Sequence, residues 1–390
     1  MKLPSDSDYQ LALQNPSQAF SDPELREGRP ELGTLGAMEG LPRPRAGNFA
    51  TVYKLECGSR AFAIRCFTRP VQPDQEARYH EITRHLTLHR LPYSVDVAFL
   101  PRGIQVQGQW FPIVKMEWVQ GESLSRFVEK HRESPRMLFE LATAWVELLA
   151  DLRRAGVAHG DLQHGNVLVT PEGLRLVDYD GMFVPALEGR RSHERGHANY
   201  QHPLRDAAFF DARLDHFSAW VVWLSLVALA HEPGLWERFQ GGDDCLLFRK
   251  RDFDGDGRSP LFQALQESRH ERVRAAAGFF QSLLARSPAD VPALDGAALS
   301  AISLSVMPRA LPSGTPGGQA PPDAVPEPTA LNASREVGRF IAPVPAAPVA
   351  FTPLSEAEQQ GAAGILLGAV LSGVLSVFVS PFCLVGLGLS

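Results

Sequence analysis

Residues 157–169 read Val157-Ala-His-Gly-Asp-Leu-Gln-His-Gly-Asn-Val-Leu-Val169, and Leu174-Arg-Leu-Val-Asp-Tyr-Asp-Gly181 follows shortly after. The Val-Leu-Val run has the composition of a strand. Around it stand three oxygen-bearing side chains: Asp161, Asn166 five residues on, and Asp178 after the second apolar run. Taken singly, His-Gly-Asp and Asp-Tyr-Asp are ordinary turn residues that cap strands. The five-residue spacing, the strand between them and the second aspartate together are more than turn chemistry requires.

Transfer of a phosphoryl group from ATP needs a carboxylate near the attacking hydroxyl and oxygen ligands for magnesium on the phosphates. Asp161 suits the first role, and Asn166 and Asp178 suit the second. Here the chain resembles the protein-kinase superfamily, whose catalytic loop reads H-x-D-x-x-x-x-N and whose metal-binding aspartate opens D-F-G. The resemblance runs from residue 41 to about 290. It implies that Asp161 is the catalytic base, that Asn166 and Asp178 are metal ligands, and that His159 is a structural residue of the loop. His-Gly-Asp is also the spelling of aminoglycoside- and choline-type kinases. Downstream, Gly196-His-Ala-Asn-Tyr-Gln-His-Pro203 resembles G-T-x-x-Y-x-A-P-E, with Gly196, Tyr200 and Pro203 in register and Leu204 in place of the glutamate. Asp215-His-Phe-Ser-Ala-Trp220 resembles D-x-W-S-x-G, whose aspartate braces the catalytic loop. Both favour the protein-kinase branch, in the manner of bacterial eukaryotic-like Ser/Thr kinases.

The N-terminal half departs from that family. Arg45-Ala-Gly-Asn-Phe-Ala-Thr-Val52 aligns with G-x-G-x-x-G-x-V, ending in Val52, and of three glycines only Gly47 remains. Glycines let backbone N–H groups close on phosphates, so such a loop is stiffer or more distant. Phe62-Ala-Ile-Arg65 aligns with V-A-I-K, which puts Ala63 against the nucleotide and Arg65 in place of the phosphate-binding lysine. A planar guanidinium is not a conservative exchange. Arg65 either holds the α- and β-phosphates or serves only as a structural ion-pair partner. Its expected carboxylate is Glu81 on the next helix, with Glu76 as rival. Met116, Glu117 and Trp118 resemble the gatekeeper and hinge that bind adenine through backbone groups, and strand alternation turns Lys115 away from Met116. Asp180 replaces the D-F-G glycine; it either reaches the metal or caps a turn, and the turn is favoured. Gly160 stands where many regulated members have an arginine for an activation-loop phosphate. That argues against such a switch, although Ser192 after Arg190-Arg191 is a candidate site. Asp252-Phe-Asp-Gly-Asp-Gly257 mimics half a calcium loop, but Gln263 stands where a bidentate Glu belongs, so it reads as a surface turn.

Outward from these motifs, Phe49 to Leu55 and Arg60 to Phe67 form strands joined at Cys57-Gly58-Ser59. A helix is expected over 74–89, then a pair of strands around Gly108-Gln109. Leu138 to Ala155 sets Leu141, Trp145, Leu148, Leu149 and Leu152 on one helical face. Asp215 to Leu229 is apolar all round, as a helix buried in the core is. Strands first and helices later is an α+β arrangement, here a bilobal protein-kinase-like fold with a small β-rich N-lobe and a larger helical C-lobe.

A hydrophobic fraction of 44% allows a sizeable core, and a net charge of −6 with no basic cluster gives no reason to expect a nucleic-acid partner. Cys57, Cys66, Cys245 and Cys383 never form CxxC, which fits a reducing compartment rather than a disulfide framework or zinc site. The first residues lack the apolar stretch of a secretory signal. Residues 1–40 read as a polar extension with one helix-like stretch, Tyr9 to Leu13, and residues 291–307 as a helical tail of the domain. Prolines recur through 308–358, a disordered linker by composition. Residues 362–385 are uncharged, and a helix of such length crosses the ~30 Å hydrocarbon layer. Gly364, Gly368, Ser372, Ser376 and Ser380 fall four apart, a stripe by which two membrane helices approach and a route to a homodimer. The segment is either a single-pass anchor, the favoured reading, or a hairpin. The chain is thus expected to be a cytoplasmic, membrane-anchored kinase that uses ATP and Mg2+ and acts on Ser/Thr hydroxyls of a protein. The alternatives are a pseudokinase scaffold and a small-molecule phosphotransferase, the Asp215 helix arguing against the latter.

Overall fold

Three short helices open the chain: α1 (Asp6–Leu13), α2 (Pro16–Ala19) and α3 (Pro23–Arg26). The computed structural model describes residues 3–34, 39–46, 50–242, 244–255 and 258–305. Local chemistry starts each helix. Ser5 and Asp8 form a capping box on α1, prolines occupy the first turns of α2 and α3, and Asp22 accepts from the Leu25 amide at 3.0 Å.

The strands β1 (Arg29–Pro30), β2 (Arg45–Ala46), β3 (Ala50–Cys57), β4 (Arg60–Phe67), β5 (Val97–Val106) and β6 (Gln109–Glu117) form one antiparallel sheet, with helix α4 (Gln75–His89) between β4 and β5. The order is β1-β3-β4-β6-β5, with β2 also on β3. Gly58 turns β3 into β4 with φ +63°, and Gln107-Gly108 turns β5 into β6 with φ 50° and 79°. Both central residues of that second turn are left-handed, the geometry that matches the twist of the strands.

Alternation divides the sheet into two faces. One carries Tyr53, Leu55, Phe62, Ile64, Cys66, Phe111 and Ile113, and the N-terminal helices cover it with Tyr9, Leu13, Phe20 and Leu25. Tyr9 donates to the Phe67 carbonyl at 2.7 Å, and Lys115 on this face reaches Asp22 at 3.1 Å and Glu24 at 2.8 Å. A register shift in β5 between Leu100 and Ile104 marks the docking point. A Cβ on Gly103 there would lie 2.2 Å from Ile113 Cγ1, and the Gly103 carbonyl accepts from the Ser21 amide at 3.2 Å. Residues 1–40 were expected to be a polar extension outside the domain. The described part instead closes the hydrophobic layer of the sheet, because only part of it is polar. The other face, with Val114 and Met116, packs on Tyr79, Ile82 and Leu86 of α4.

The second part is helical. After β7 (Glu122–Ser123) and α5 (Leu124–His131) comes α6 (Pro135–Arg154), which packs on α7 (His216–His231) through Trp145, whose indole donates to the Ala219 carbonyl at 3.2 Å. Fourteen consecutive residues of α7, Phe217 to Ala230, are buried, so it is the central helix. Between α6 and α7 lies a hairpin, β8 (Val167–Thr170) and β9 (Gly173–Leu176), with β7 on its edge. Helix α8 (Leu235–Arg238) packs on α7, and α9 (Lys250–Phe253), α10 (Pro260–Gln266) and α11 (Glu271–Leu283) join through Phe217, Phe248, Phe253, Phe262 and Phe280. Helix α12 (Gly296–Ser305) closes the body, and Trp220 donates to the Pro292 carbonyl at 2.9 Å. Asp252 of the calcium-loop mimic accepts from the Arg249 amide at 2.7 Å and caps α9.

The result is α+β, an antiparallel sheet followed by a helical part. Among the described residues no helix is long and apolar enough to cross a membrane. The linker at 308–358, the segment 362–385 and Cys383 lie outside the described residues.

Candidate active site

The β8–β9 hairpin brings the spaced motif residues to one end. Asn166 precedes β8 and Asp178 follows β9, and the Val177 amide donates to the Asn166 carbonyl at 3.0 Å. Asp178 has φ +67°, a left-handed backbone that costs a non-glycine residue about 1 kcal/mol.

The loop before β8 is held from beneath. Asp215, just before α7, accepts from the amides of His159 and Gly160, the latter at 2.8 Å. Burial pushes its carboxyl up, while His159 and those two amides oppose the shift. His159 is fully buried, with Nε2 against the Val177 carbonyl at 3.0 Å and Nδ1 accepting from the Asp161 amide at 3.4 Å. Since a carbonyl only accepts, Nε2 carries the proton. The ring is a strut between loop and hairpin.

Asp161 sits at the end of this support. Its Oδ2 accepts from Asn166 Nδ2 at 3.0 Å and its Oδ1 from the His197 amide at 2.7 Å. Burial raises its carboxyl above the ordinary range, and the hydrogen bond from the His197 amide partly opposes this. Asn166 spends its NH2 on Asp161 and so presents its carbonyl oxygen outward from that pair. That oxygen and the Asp178 carboxylate make a hard-oxygen donor set, which fits magnesium.

From the sheet, Val52, Ala63, Arg65 and Met116 share the face opposite Lys115, with Val52 registered to Arg65 and Ala63 to Met116. Trp118 lies under the Arg45 guanidinium at 4.7 Å and near Lys54 at 5.6 Å. The amides of Glu117 and Trp118 are spent on the carbonyls of Asp96 and Ala61, both at 2.9 Å. Both backbone N–H groups expected to meet adenine are therefore already paired within the protein. Gly47 lies outside the described residues.

Arg65 crosses to the helical part. It pairs with Asp178 and, at 2.7 Å through Nη2, with Asp180. Burial works against its charge, but the two aspartates outweigh it and hold the guanidinium firmly protonated. This corrects the expectation that Glu81 is the partner. Glu81 instead pairs with Arg84 one turn along α4, at 2.5 Å, and Glu76 is exposed. The face that α4 turns inward carries Gln75 and Tyr79, which both donate to Asp180, Gln75 at 3.2 Å. Asp180 is accordingly a buried ion-pair partner, not the turn cap expected. Burial raises its carboxyl, and Arg65 opposes the rise. The helix face was readable from Tyr79, Ile82 and Leu86, spaced three and four apart. Glu81 falls off that stripe.

Segment 190–200 lies across the site. Asp74 receives Arg78 at 2.9 Å, Arg190 at 3.2 Å and His193 at 2.8 Å, and His193 Nδ1 also meets Gln75 at 2.8 Å. Glu194 faces Asp180, Asp178 and Asp161, and burial with those charges pushes its carboxyl up to about 7. Ser192 is buried with its hydroxyl on the Glu194 carbonyl, so it is not presented for modification. Tyr200 places its hydroxyl on His164 at 2.7 Å and under the Leu246 amide at 3.1 Å. The sequence reading passed over Gln75, Tyr79, Glu194 and His197.

No family model matches the sequence, and no curated protein matches it significantly. Among solved structures, the Cydia pomonella granulovirus kinase PK-1 is similar over 72% of this chain and 92% of its own, at 17% identity and a TM-score of 0.40. A likeness that remote carries no inference.

Proposed function

We propose that the chain is a kinase-like phosphotransferase that moves the terminal phosphoryl group of ATP to a hydroxyl, most naturally a Ser or Thr of a protein. One observation carries this reading: Asp161, Asn166 and Asp178 come together at one end of the β8–β9 hairpin, with Arg65 reaching Asp178 from the sheet. Asp161, its carboxylate oriented by Asn166 and the His197 amide, is placed to accept the proton of the attacking hydroxyl. Arg65 supplies a fixed positive charge for the phosphates, and Val52, Ala63 and Met116 line the wall for the base. Asn166 and Asp178 would hold Mg2+, which when bound neutralises phosphate charge. Segment 196–203, pinned by Tyr200, lies beside Asp161 through the His197 amide, and we assign the protein substrate to this side of the site. With this reading we place the 362–385 segment in a membrane and the catalytic part in the cytoplasm, with the Gly364, Gly368 and Ser372 stripe available for a homodimer.

A second reading has its own observation. Arg65 is paired directly with Asp178, so the cation site is partly neutralised by a side chain, as suits a pseudokinase that binds nucleotide without transferring it. Full-length protein with radiolabelled ATP separates the two. Asp161→Ala should abolish transfer while leaving ATP affinity within about threefold, because a base acts on the hydroxyl. Transfer equal in wild type and Asp161→Ala would remove Asp161 from the mechanism. Nucleotide binding without any wild-type transfer would establish the second reading.

A further inference from the structure

A buried arginine lies where the downstream segment meets the catalytic loop. Arg205 is 6% exposed, whereas its neighbour Leu204 is 64% exposed. Its Nη1 donates to the Gly160 carbonyl at 2.9 Å and to Gln201 Oε1. Its Nε and Nη2, and Gln201 Nε2, are buried without a hydrogen-bond partner among the described residues. Burial works against the charge of Arg205, and the carboxylates of Asp215 and Asp161 offset this at longer range. For packing alone an apolar side chain would serve as well, since a buried charge costs several kcal/mol in desolvation.

What the guanidinium holds is a tight backbone crossing. Gly160 has φ +79°, and a Cβ there would lie 2.1 Å from the Gly181 carbonyl oxygen. Gly196 has φ +73°, and its Cβ would lie 2.6 Å from Gln201 Nε2, 2.8 Å from Asp161 Oδ1 and 2.9 Å from the Gly160 carbonyl oxygen. The next amide after this crossing, that of His197, is the one donated to Asp161 Oδ1.

We propose that Arg205 is a positioning residue for Asp161: with Gln201 it clamps residues 196–205 onto the catalytic loop and so holds the His197 N–H on the carboxylate. The clamp consists of side chains the chain always carries, so it needs no covalent modification to form. Its catalytic consequence rests on Asp161 being the base, but the clamp itself does not.

The test uses the full-length chain with Arg205→Met, which keeps length and removes charge. Turnover should fall roughly 10- to 100-fold with KM for Mg-ATP within about twofold, and Arg205→Lys should recover part of it. Independently of activity, the His197 amide should exchange hydrogen at least about tenfold faster in folded Arg205→Met than in wild type. Unchanged exchange, or a loss of turnover that only matches a loss of folded protein, overturns the clamp. Should Arg205→Met not fold, Gln201→Met removes the bridging acceptor and carries the same exchange test. Faster exchange together with no wild-type phosphotransfer would uphold the clamp and refute the phosphotransferase reading.

Discussion

At the residue scale the informative side chain is Asp180, because it receives what a helix glutamate was expected to receive. Arg65 and Asp180 have side chains 14% and 5% exposed, whereas Arg84, the partner of Glu81, is 66% exposed. Breaking a buried pair strands the other charge and costs about 3 kcal/mol, less here to the extent that Asp178 still holds Arg65. An exposed pair one turn apart on a helix is worth about 0.5 kcal/mol at most. Asp180→Asn should therefore lower the urea midpoint clearly and weaken ATP binding, while Glu81→Ala should leave both nearly unchanged. Equal losses in the two variants would restore Glu81 as the partner of Arg65.

At the scale of elements, the N-terminal helices decide whether the sheet has one covered face or two. Tyr9 is fully buried and its hydroxyl donates to a carbonyl of β4, while Leu13 and Leu25 are equally buried. Removing a buried aromatic ring costs about 3–5 kcal/mol, and losing only the hydroxyl bond about 1 kcal/mol. Chemical denaturation of Tyr9→Ala and Tyr9→Phe should show that order. Were the helices a dispensable tail, both variants would lie within about 0.5 kcal/mol of wild type. The same docking explains Lys115, whose ammonium binds Asp22 and Glu24 rather than anything at the candidate active site.

For the whole molecule, the buried acids set a pH dependence. Asp161, Asp180, Asp215 and Glu194 all have carboxyls raised by burial. A raised acid binds its proton more tightly in the folded state, so stability falls as pH climbs from its ordinary value towards the folded one. For Glu194 that window runs from 4.5 to about 7. Glu31, Asp74 and Asp211 are lowered by their arginine partners, although burial opposes this, and they contribute stability that is lost only as pH falls below the ordinary carboxyl range. The melting temperature should thus peak under mildly acidic conditions. Glu194→Gln should match wild type near pH 5 and exceed it at pH 8, by up to about 3 kcal/mol. A difference that does not grow with pH would mean the Glu194 carboxyl is not buried among these charges.

Much of this molecule follows from relations between near neighbours in the chain. The helices α4, α6 and α7 follow from periodicity and from nearby breakers: Pro92 beyond α4, Pro135 in the first turn of α6 and Gly156 after it, and Pro233-Gly234 beyond α7. The Gly58 hairpin and the approach of Asp161, Asn166 and Asp178 are of the same kind, since one short β-hairpin carries Asn166 and Asp178 to its ends. Tertiary structure decided what Arg65, Tyr9 and Arg205 bind. Arg65 and Asp178 lie 113 positions apart, and Tyr79 and Asp180 lie 101 apart. With 44 acidic side chains available, charge alone does not select a partner for one arginine. Packing selects it: the Tyr79, Ile82 and Leu86 stripe turns α4 so that Gln75 and Tyr79 face Asp180 while Glu81 falls off the inward face and pairs with Arg84.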